Sequence, residues 1–491
     1  MKLYHNRVIT CIFLLLIFFF VTTACTLQPP RVKSSGLPQR EYAYQIPEKI
    51  ADGWETSSLE EEGFNSEKIV ELIEDILSEN YKNIHSVLLV KNGKLILEEY
   101  FYGYDRHTKH GMMSIAKSVT SILIGIAVDN GMIDNVDKKV YKFFPEYENL
   151  NWSDHRAEIR LEHILTMTTG LEFNELQYHH YDSRNSVPGM YRSSDPIKYV
   201  LQQKMLNKPG DKFNYSTGLT LVLGGVIRNT SGLYADKFAE KYLFSPLGIS
   251  EYIWEKHPDG TIQTGGGPRG GLLLKPRDMA KIGQIMLKNG KWNGRQIVSQ
   301  KWIAESTKEH VSDAFAGWSY GYQWLQAKDV VSNIEIEMFF AAGHGGQYIF
   351  VFPSLELIAV FTSKLYNPLG ELRPLGMLKT YILPACMPTV PPVQTSKIDP
   401  VVLDNYAGKY RVVQHTYVID TLVVFSDADR LFCRTPDGEN FELFSTAKNE
   451  FIGTWKGIGD CRLSFVKDRN DKIKHLFINI GFAKIQFDKV K

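Results

Sequence analysis

Ser114 and Lys117 have the residue types and the spacing that nucleophilic catalysis requires. Residues three apart on an α-helix share one face, with Cβ atoms about 5–6 Å apart, so the amine can reach the hydroxyl. A serine hydroxyl is a weak nucleophile, and a neighbouring base that takes its proton activates it for attack on a carbonyl carbon. The apolar pattern of residues 113–130 predicts the helix that would hold the pair.

The spacing alone has little meaning, because Ser445 with Lys448 and Ser464 with Lys467 repeat it. Both repeats lie in segments with strand-like alternation, where residues i and i+3 point to opposite faces. The Ser114 pair is therefore the one in a context that allows the two side chains to cooperate. Without a further signal, Ser114 remains equally compatible with a helix-start serine beside a solvated lysine.

A reacting serine also needs a proton carrier and N–H donors for the oxyanion. Tyr215 lies in a polar turn before a predicted helix at residues 219–228. A nearby protonated lysine favours the phenolate form of a tyrosine, so we predict Tyr215 as the base.

Glycines at Gly343, Gly345 and Gly346 surround His344, immediately before an apolar strand at residues 348–352. Glycine lets a substrate lie close against a strand edge. We predict that the backbone N–H groups of Gln347 and Ser114 form the oxyanion hole. His344 taken singly would more often be a structural histidine.

Two hairpins predict the sheet that positions these residues. Residues 85–90 and 94–100 are joined by Asn92-Gly93, the strongest short hairpin signal. Residues 348–352 and 357–362 are separated by a gap too short for a parallel crossover. If both hairpins share one sheet, the chain between them is an insertion packed against it.

The expected fold class is α/β: an antiparallel sheet flanked by helices with an inserted, mostly helical subdomain, followed by a small all-β barrel-like domain. Helices are predicted at residues 66–80, behind an Asn65/Ser66 cap, and at 276–288; residues 171–190 are predicted as a loop. Short alternating strands at residues 417–425, 430–433, 441–444, 463–466 and 475–480 predict an antiparallel barrel or sandwich.

The N-terminus is predicted to be a targeting segment. Lys2 and Arg7 precede an apolar run at residues 8–21, the length of a signal-peptide core. The run ends in a stretch that resembles a bacterial lipobox, with Cys25 as the lipidated residue; ordinary secretory cleavage and an uncleaved anchor are the alternatives. The predicted organisation is a lipoprotein-type signal peptide at 1–25, a tether at 26–50, a catalytic domain at 51–385, a proline-rich linker at 386–400 and an all-β domain at 401–491.

The composition narrows the possible partners and cofactors. The 491 residues carry a net charge of +1 and form no basic stripe, so we expect no nucleic-acid partner. Mature-chain cysteines at Cys386, Cys433 and Cys461 show no metal spacing; a Cys433–Cys461 bridge and buried free thiols are both open. We predict no metal and no cofactor.

The ordered set Ser114-x-x-Lys117, Tyr215-Ser216-Thr217 and His344-Gly345-Gly346 resembles the serine β-lactamase and penicillin-binding-protein superfamily. It is most similar to the class C-like branch, which includes class C β-lactamases, D-alanyl-D-alanine carboxypeptidases, esterases and 6-aminohexanoate-dimer hydrolases. The resemblance extends over residues 53–384, with support at 164–171, 245–249, 270–272 and 277–280.

The resemblance implies that Ser114 is acylated, that Lys117 is its proton partner and that Tyr215 acts as general base in acylation and deacylation. It also implies that the N–H of Gln347 completes the oxyanion hole. His344, Gly345, Gly346 and Thr217 would line the substrate site. Residues 405–410 resemble the opening strand of the lipocalin-like barrel found in several members.

Two departures from the family pattern bear on the substrate. Thr217 replaces an asparagine that binds the acylamide of the substrate, and His344, expected to be largely neutral at pH 7, replaces the lysine that holds a β-lactam carboxylate. Both favour an esterase or amidase. His179, His180, Tyr181 and Asp182 are candidates for the leaving-group side, and a solvated or structural loop is the alternative. The histidine pair is not predicted as a zinc site, because no third ligand lies at zinc spacing.

The leading hypothesis is therefore an exported serine hydrolase that cleaves a small ester, amide or peptide through a Ser114 acyl-enzyme, attached to a membrane by a lipid. The alternatives are a β-lactamase, a D-alanyl-D-alanine carboxypeptidase-type peptidase and a penicillin-binding sensor that acylates without turnover.

Overall fold

A computed structural model describes residues 42–178, 182–315, 317–332, 334–367, 370–388, 394–396, 400–413, 421–436, 438–456 and 458–490. The predicted signal peptide, Cys25 and the residues His179, His180 and Tyr181 lie outside these ranges. Within them, no helix has both the length and the apolar character needed to cross a bilayer.

The strands are numbered in chain order. They are β1 (Glu55–Thr56), β2 (Ile84–Lys91), β3 (Lys94–Tyr100), β4 (His110–Gly111), β5 (Ile253–Trp254), β6 (Leu272–Leu274), β7 (Lys291–Trp292), β8 (Arg295–Gln296), β9 (Val311–Phe315), β10 (Trp318–Tyr320), β11 (Leu325–Val331), β12 (Ile334–Gly343), β13 (Gln347–Phe352), β14 (Leu357–Ser363), β15 (Gly408–Val412), β16 (Thr421–Asp427), β17 (Arg430–Arg434), β18 (Asn440–Ala447), β19 (Glu450–Trp455), β20 (Gly459–Lys467), β21 (Ile473–Ile480) and β22 (Ala483–Lys489).

The helices are numbered in the same way. They are α1 (Ser66–Leu77), α2 (Ile115–Asp129), α3 (Leu161–Leu165), α4 (Ser186–Arg192), α5 (Pro196–Leu201), α6 (Thr217–Ser231), α7 (Ala235–Ala239), α8 (Pro276–Leu287), α9 (Gln300–Ser306), α10 (Arg373–Met377), α11 (Leu383–Cys386) and α12 (Pro400–Leu403).

Nine strands form the main sheet, in the order β1-β3-β2-β14-β13-β12-β11-β10-β9. The two predicted hairpins share it, since β14 pairs antiparallel with β2 and places Phe361 opposite Val87. The first hairpin closes through Asn92 and Gly93, both with positive φ, as its tight turn requires. Every residue of β13 and β14 is buried, so helices and loops cover both faces.

The structure adds four details to the expected fold. The sheet is mixed, because β1 pairs parallel with β3. Four strands, β9 to β12, extend it beyond the second hairpin. The predicted loop at residues 171–190 contains the start of α4 at Ser186. The last residues of the predicted tether pack on the catalytic domain, where the Tyr42 hydroxyl donates to Glu99 Oε1 at 2.6 Å.

The predicted helices are present with slightly shifted ends. Helix α1 begins at Ser66, capped by the Asn65 side chain, which accepts the N–H of Glu67 at 2.9 Å. Helix α8 lies on the sheet, where a Cβ added at Gly283 would come within 3 Å of Ile349 and Ile358 side-chain atoms. This close contact requires glycine at that position.

The C-terminal strands β15 to β22 form a closed antiparallel barrel, because β15 pairs with β22. Of the two predicted alternatives, the barrel is therefore correct and the sandwich is not. Cys433 and Cys461 are buried in it as free thiols, and burial raises the pKa of both. The barrel packs on the main sheet, where Trp318 Nε1 donates to the Phe482 carbonyl at 2.9 Å.

Candidate active site

Ser114 lies in a turn whose backbone is held by hydrogen bonds to a neighbouring segment. Ser114 directly precedes α2, and Met113 before it has a φ of +51°. The N–H groups of Met112 and Met113 donate to the carbonyls of Leu272 and Gly270 at 2.7 and 2.8 Å. Ser114 is half-buried at the surface, whereas the first four turns of α2 behind it lie in the core. The serine was expected inside the helix; it is the residue before the first helical one.

Lys117 is 2% exposed, and its Nζ lies 3.0 Å from Ser114 Oγ. Nζ also donates to Thr217 Oγ1 at 3.0 Å and to the Gly265 carbonyl. Burial lowers the pKa of Lys117 to about 8, an effect that the negative charge of Glu175 partly opposes. A substantial share of this amine is therefore neutral near pH 8 and able to accept a proton.

Tyr215 lies at the start of α6, and its hydroxyl shares a hydrogen bond with Ser114. The Lys117 Nζ lies 4.9 Å from the centroid of its ring. The structure places Ser114, Lys117 and Tyr215 together, as expected from the sequence.

The predicted phenolate form of Tyr215 is wrong. Burial raises the pKa of Tyr215, and the charges of Glu175 and Glu371 raise it further. The sequence argument assumed a charged lysine beside the phenol, but the same burial removes much of that charge. Burial thus favours the neutral amine of Lys117 and the protonated phenol of Tyr215.

Thr217 binds a residue that the sequence did not single out. Its N–H and its Oγ1 both donate to the carboxylate of Glu175, each at 2.6 Å. Glu175 belongs to the polar loop in which we expected site residues, but the predicted acid there was Asp182. The Asp182 carboxylate instead accepts a hydrogen bond from the Arg184 guanidinium at 2.6 Å.

The glycine turn after β12 lies against the nucleophile. A Cβ added at Gly343 would be 2.3 Å from the Met112 carbonyl and 3.2 Å from the Cβ atoms of Met113 and Gln347. Gln347 is therefore close to the turn that carries Ser114. The Gln347 side chain ties β13 to β14 by donating to the Ser363 carbonyl at 2.6 Å. The oxyanion hole of the Ser114 and Gln347 N–H groups stays a prediction.

His344 is paired with a carboxylate. Its Nδ1 lies 2.5 Å from Glu371 Oε1, which also accepts the N–H of Gly345 at 2.8 Å. The hydrogen bond with Glu371 raises the pKa of His344 above its usual 6.5. Glu371, distant in sequence, therefore favours the imidazolium form of His344, whereas the sequence alone predicted a largely neutral ring.

A surface serine with a buried amine and a phenol in contact is the side-chain set of a serine hydrolase. Comparison with known proteins agrees. The family profile described as Beta-lactamase matches residues 84–381, more than half of the chain, and the chain belongs to this family.

Two relatives and one solved structure illustrate the range of the family. The 6-aminohexanoate-dimer hydrolase of Paenarthrobacter ureafaciens is 28% identical over 307 residues, covering 57% of this chain and 72% of the relative. A Salmonella newport protein provisionally named D-alanyl-D-alanine carboxypeptidase is 22% identical over 332 residues, covering 55% and 74%. A Bacillus anthracis structure provisionally named 6-aminohexanoate-dimer hydrolase is 25% identical with a TM-score of 0.52, covering 64% and 80%.

Proposed function

We propose that this serine hydrolase cleaves small esters or amides through an acyl-enzyme on Ser114. The observation that supports this most directly is the buried Lys117 Nζ, 3.0 Å from Ser114 Oγ, whose pKa burial lowers to about 8. Such an amine is a general base at near-neutral pH. Tyr215, bonded to the same serine, is the path for the proton to the leaving group.

In acylation, Lys117 takes the hydroxyl proton as Ser114 Oγ bonds to the carbonyl carbon and the π electrons move to the carbonyl oxygen. Collapse of this intermediate breaks the bond to the leaving oxygen or nitrogen, which receives the proton from the Lys117 ammonium through the Tyr215 hydroxyl. In deacylation, water gives a proton to Lys117 through the Tyr215 hydroxyl as its oxygen bonds to the acyl carbon. The bond between the acyl carbon and Ser114 Oγ then breaks, and Oγ takes the proton from the Lys117 ammonium. The products are a carboxylic acid and free Ser114.

The residues around the serine favour an ester or amide over a β-lactam. Glu371 pairs with His344 at the position where the resemblance places a carboxylate-binding lysine, so the positive charge that would hold a β-lactam carboxylate is already balanced within the protein. Both polar groups of Thr217 bind Glu175 rather than standing free for a substrate amide. These contacts support an uncharged or amine-bearing acyl group.

The test is turnover of p-nitrophenyl acetate and butyrate together with labelling by a fluorophosphonate probe. We expect Ser114→Ala to abolish both. Ser464→Ala is the matched control, because it removes a serine of the same Ser-x-x-Lys spacing from β20 and should change neither. Retained labelling in Ser114→Ala would contradict the proposal.

A substrate panel separates the narrower alternatives. Release of D-alanine from a muropeptide indicates a carboxypeptidase, and nitrocefin hydrolysis indicates a β-lactamase. A persistent penicillin adduct in intact-mass spectra, without ester turnover, indicates a sensor. Fast ester or amide turnover with none of these results supports the proposal.

We also propose export and lipid attachment at Cys25, supported by the basic start and apolar run at residues 8–21. Incorporation of labelled palmitate into the full chain tests this. We expect Cys25→Ala to lose the label and Cys11→Ala, a control within the apolar run, to keep it. Equal labelling of the two variants would exclude Cys25 as the attachment site.

A further inference from the structure

We propose that Glu175 is a positioning residue that orients the lone pair of Lys117 toward the Ser114 hydroxyl, acting through the hydroxyl of Thr217. The inference rests on the proposed function in one respect, the role of Lys117 as proton acceptor. It concerns a residue outside the Ser-Lys-Tyr set.

The first step is the direction of the Thr217 hydroxyl proton. Glu175 receives two hydrogen bonds from the same residue, from Thr217 N to Oε2 and from Thr217 Oγ1 to Oε1, both at 2.6 Å. An ionised carboxylate can only accept, so the single hydroxyl proton of Thr217 points to Glu175. The bonds are short, as charge-assisted hydrogen bonds are. Thr217 Oγ1 is left as an acceptor toward its other neighbours.

The second step counts the protons on Lys117. Its Nζ contacts Ser114 Oγ at 3.0 Å, Thr217 Oγ1 at 3.0 Å and the Gly265 carbonyl. A carbonyl only accepts, and Thr217 Oγ1 has been made an acceptor, so each takes one N–H. A neutral amine has two N–H bonds and one lone pair, and the remaining contact is Ser114. The lone pair therefore faces the hydroxyl that must lose its proton.

The third step is electrostatic. The titratable groups around Lys117 are Glu175 and Tyr215, and the charge of Glu371, which accepts the N–H of Gly345 in the glycine turn, acts on Tyr215. Tyr191 and Tyr320 lie near Glu175. Burial raises the pKa of both phenols, and the charge of Glu175 raises it further. Glu175 thus holds the pKa of Lys117 higher than burial alone would, and its removal lowers that pKa.

The same contacts explain the departure at Thr217. A threonine hydroxyl beside a lysine has no fixed direction, because it can donate or accept. Glu175 removes this freedom and makes Thr217 a defined acceptor for Lys117.

The experiment compares Glu175→Gln with Glu172→Gln, a control that removes an equal charge from the same loop. Glu172 accepts from Asn174 Nδ2 at 3.2 Å and does not bind Thr217. Two readouts are measured on the full chain. One is the pKa of Lys117, from NMR of protein labelled with 13Cε-lysine and assigned with Lys117→Ala; the other is the fluorophosphonate labelling rate against pH.

For Glu175→Gln we expect the pKa of Lys117 to fall by about one unit, as for loss of an opposite charge a few ångströms away. At pH 9 Lys117 is largely neutral in both proteins, and we expect labelling of Glu175→Gln to slow by about tenfold to a hundredfold. The reason is that the glutamine side chain can donate an N–H to Thr217 Oγ1, which leaves the Thr217 hydroxyl proton free to point toward Lys117. Glu172→Gln should match the wild type in both.

An unchanged Lys117 pKa in Glu175→Gln, or labelling at pH 9 equal to that of Glu172→Gln, overturns the inference. If Glu175→Gln does not fold, Thr217→Val replaces it: we expect the same slower labelling at pH 9, and a wild-type rate overturns the inference. If the wild type is not labelled at any pH, the proposed function fails, and the NMR titration still decides whether Glu175 acts on Lys117.

Discussion

The pH dependence of acylation follows from the burial of Lys117. An ordinary lysine with a pKa of 10.5 is roughly 0.03% neutral at pH 7, whereas a pKa of about 8 leaves about one amine in ten neutral. The buried site thus raises the concentration of the active base roughly 300-fold, equivalent to ~3 kcal/mol. Since kcat/KM reports the free enzyme, it should rise about tenfold per pH unit below pH 8 and level off above it.

The assay is kcat/KM for p-nitrophenyl butyrate from pH 5.5 to 9.5, with Ser114→Ala measured in parallel to subtract spontaneous hydrolysis. Lys117→Arg keeps the positive charge but has no lone pair to offer, because a guanidinium stays protonated. We expect it to lose about 10²–10⁴-fold in kcat/KM, the usual contribution of a general base. A profile already level between pH 6 and 7, or Lys117→Arg within tenfold of the wild type, would refute the reasoning.

Three further predictions concern the surrounding fold. Burial lowers the pKa of His85 to about 3 and of His110 to about 4. Between pH 6.5 and 4 the unfolded chain therefore binds more protons than the folded chain, and the free energy of unfolding decreases as the pH falls. The loss at pH 5 is about 2 kcal/mol for each histidine. Thermal melts against pH should show this decline, and His110→Asn should reduce it. Gly343→Ala should remove most esterase activity and cost about 1–3 kcal/mol in denaturant unfolding, because its Cβ would strike a carbonyl of the nucleophile turn. In a thiol titration, Cys433 and Cys461 should react only after unfolding; a disulfide in a non-reducing peptide map would contradict this.

Local sequence was sufficient for the elements whose geometry is set by near neighbours. The Asn92-Gly93 turn fixes its hairpin because both residues adopt positive φ, and the Asn65 cap fixes the start of α1. The Ser114 and Lys117 contact was also predictable, because helical spacing alone places them together. The sequence did not reveal β9 to β12, whose pairing depends on contacts with strands already in the sheet.

The charge states of the site depend on segments far apart in the chain. Burial lowers the pKa of Lys117 because segments 100 and 148 residues away, at Thr217 and Gly265, pack around its amine. Glu175 and Glu371 reach the site only through tertiary packing. Their charges add to the burial that raises the pKa of Tyr215, and the hydrogen bond with Glu371 raises the pKa of His344. The sequence by itself therefore determined which residues are the candidates for catalysis, since a motif is a matter of residue type and local spacing. Only the tertiary structure decided in which direction their pKa values shift, since a pKa depends on burial and on charges brought close by the fold.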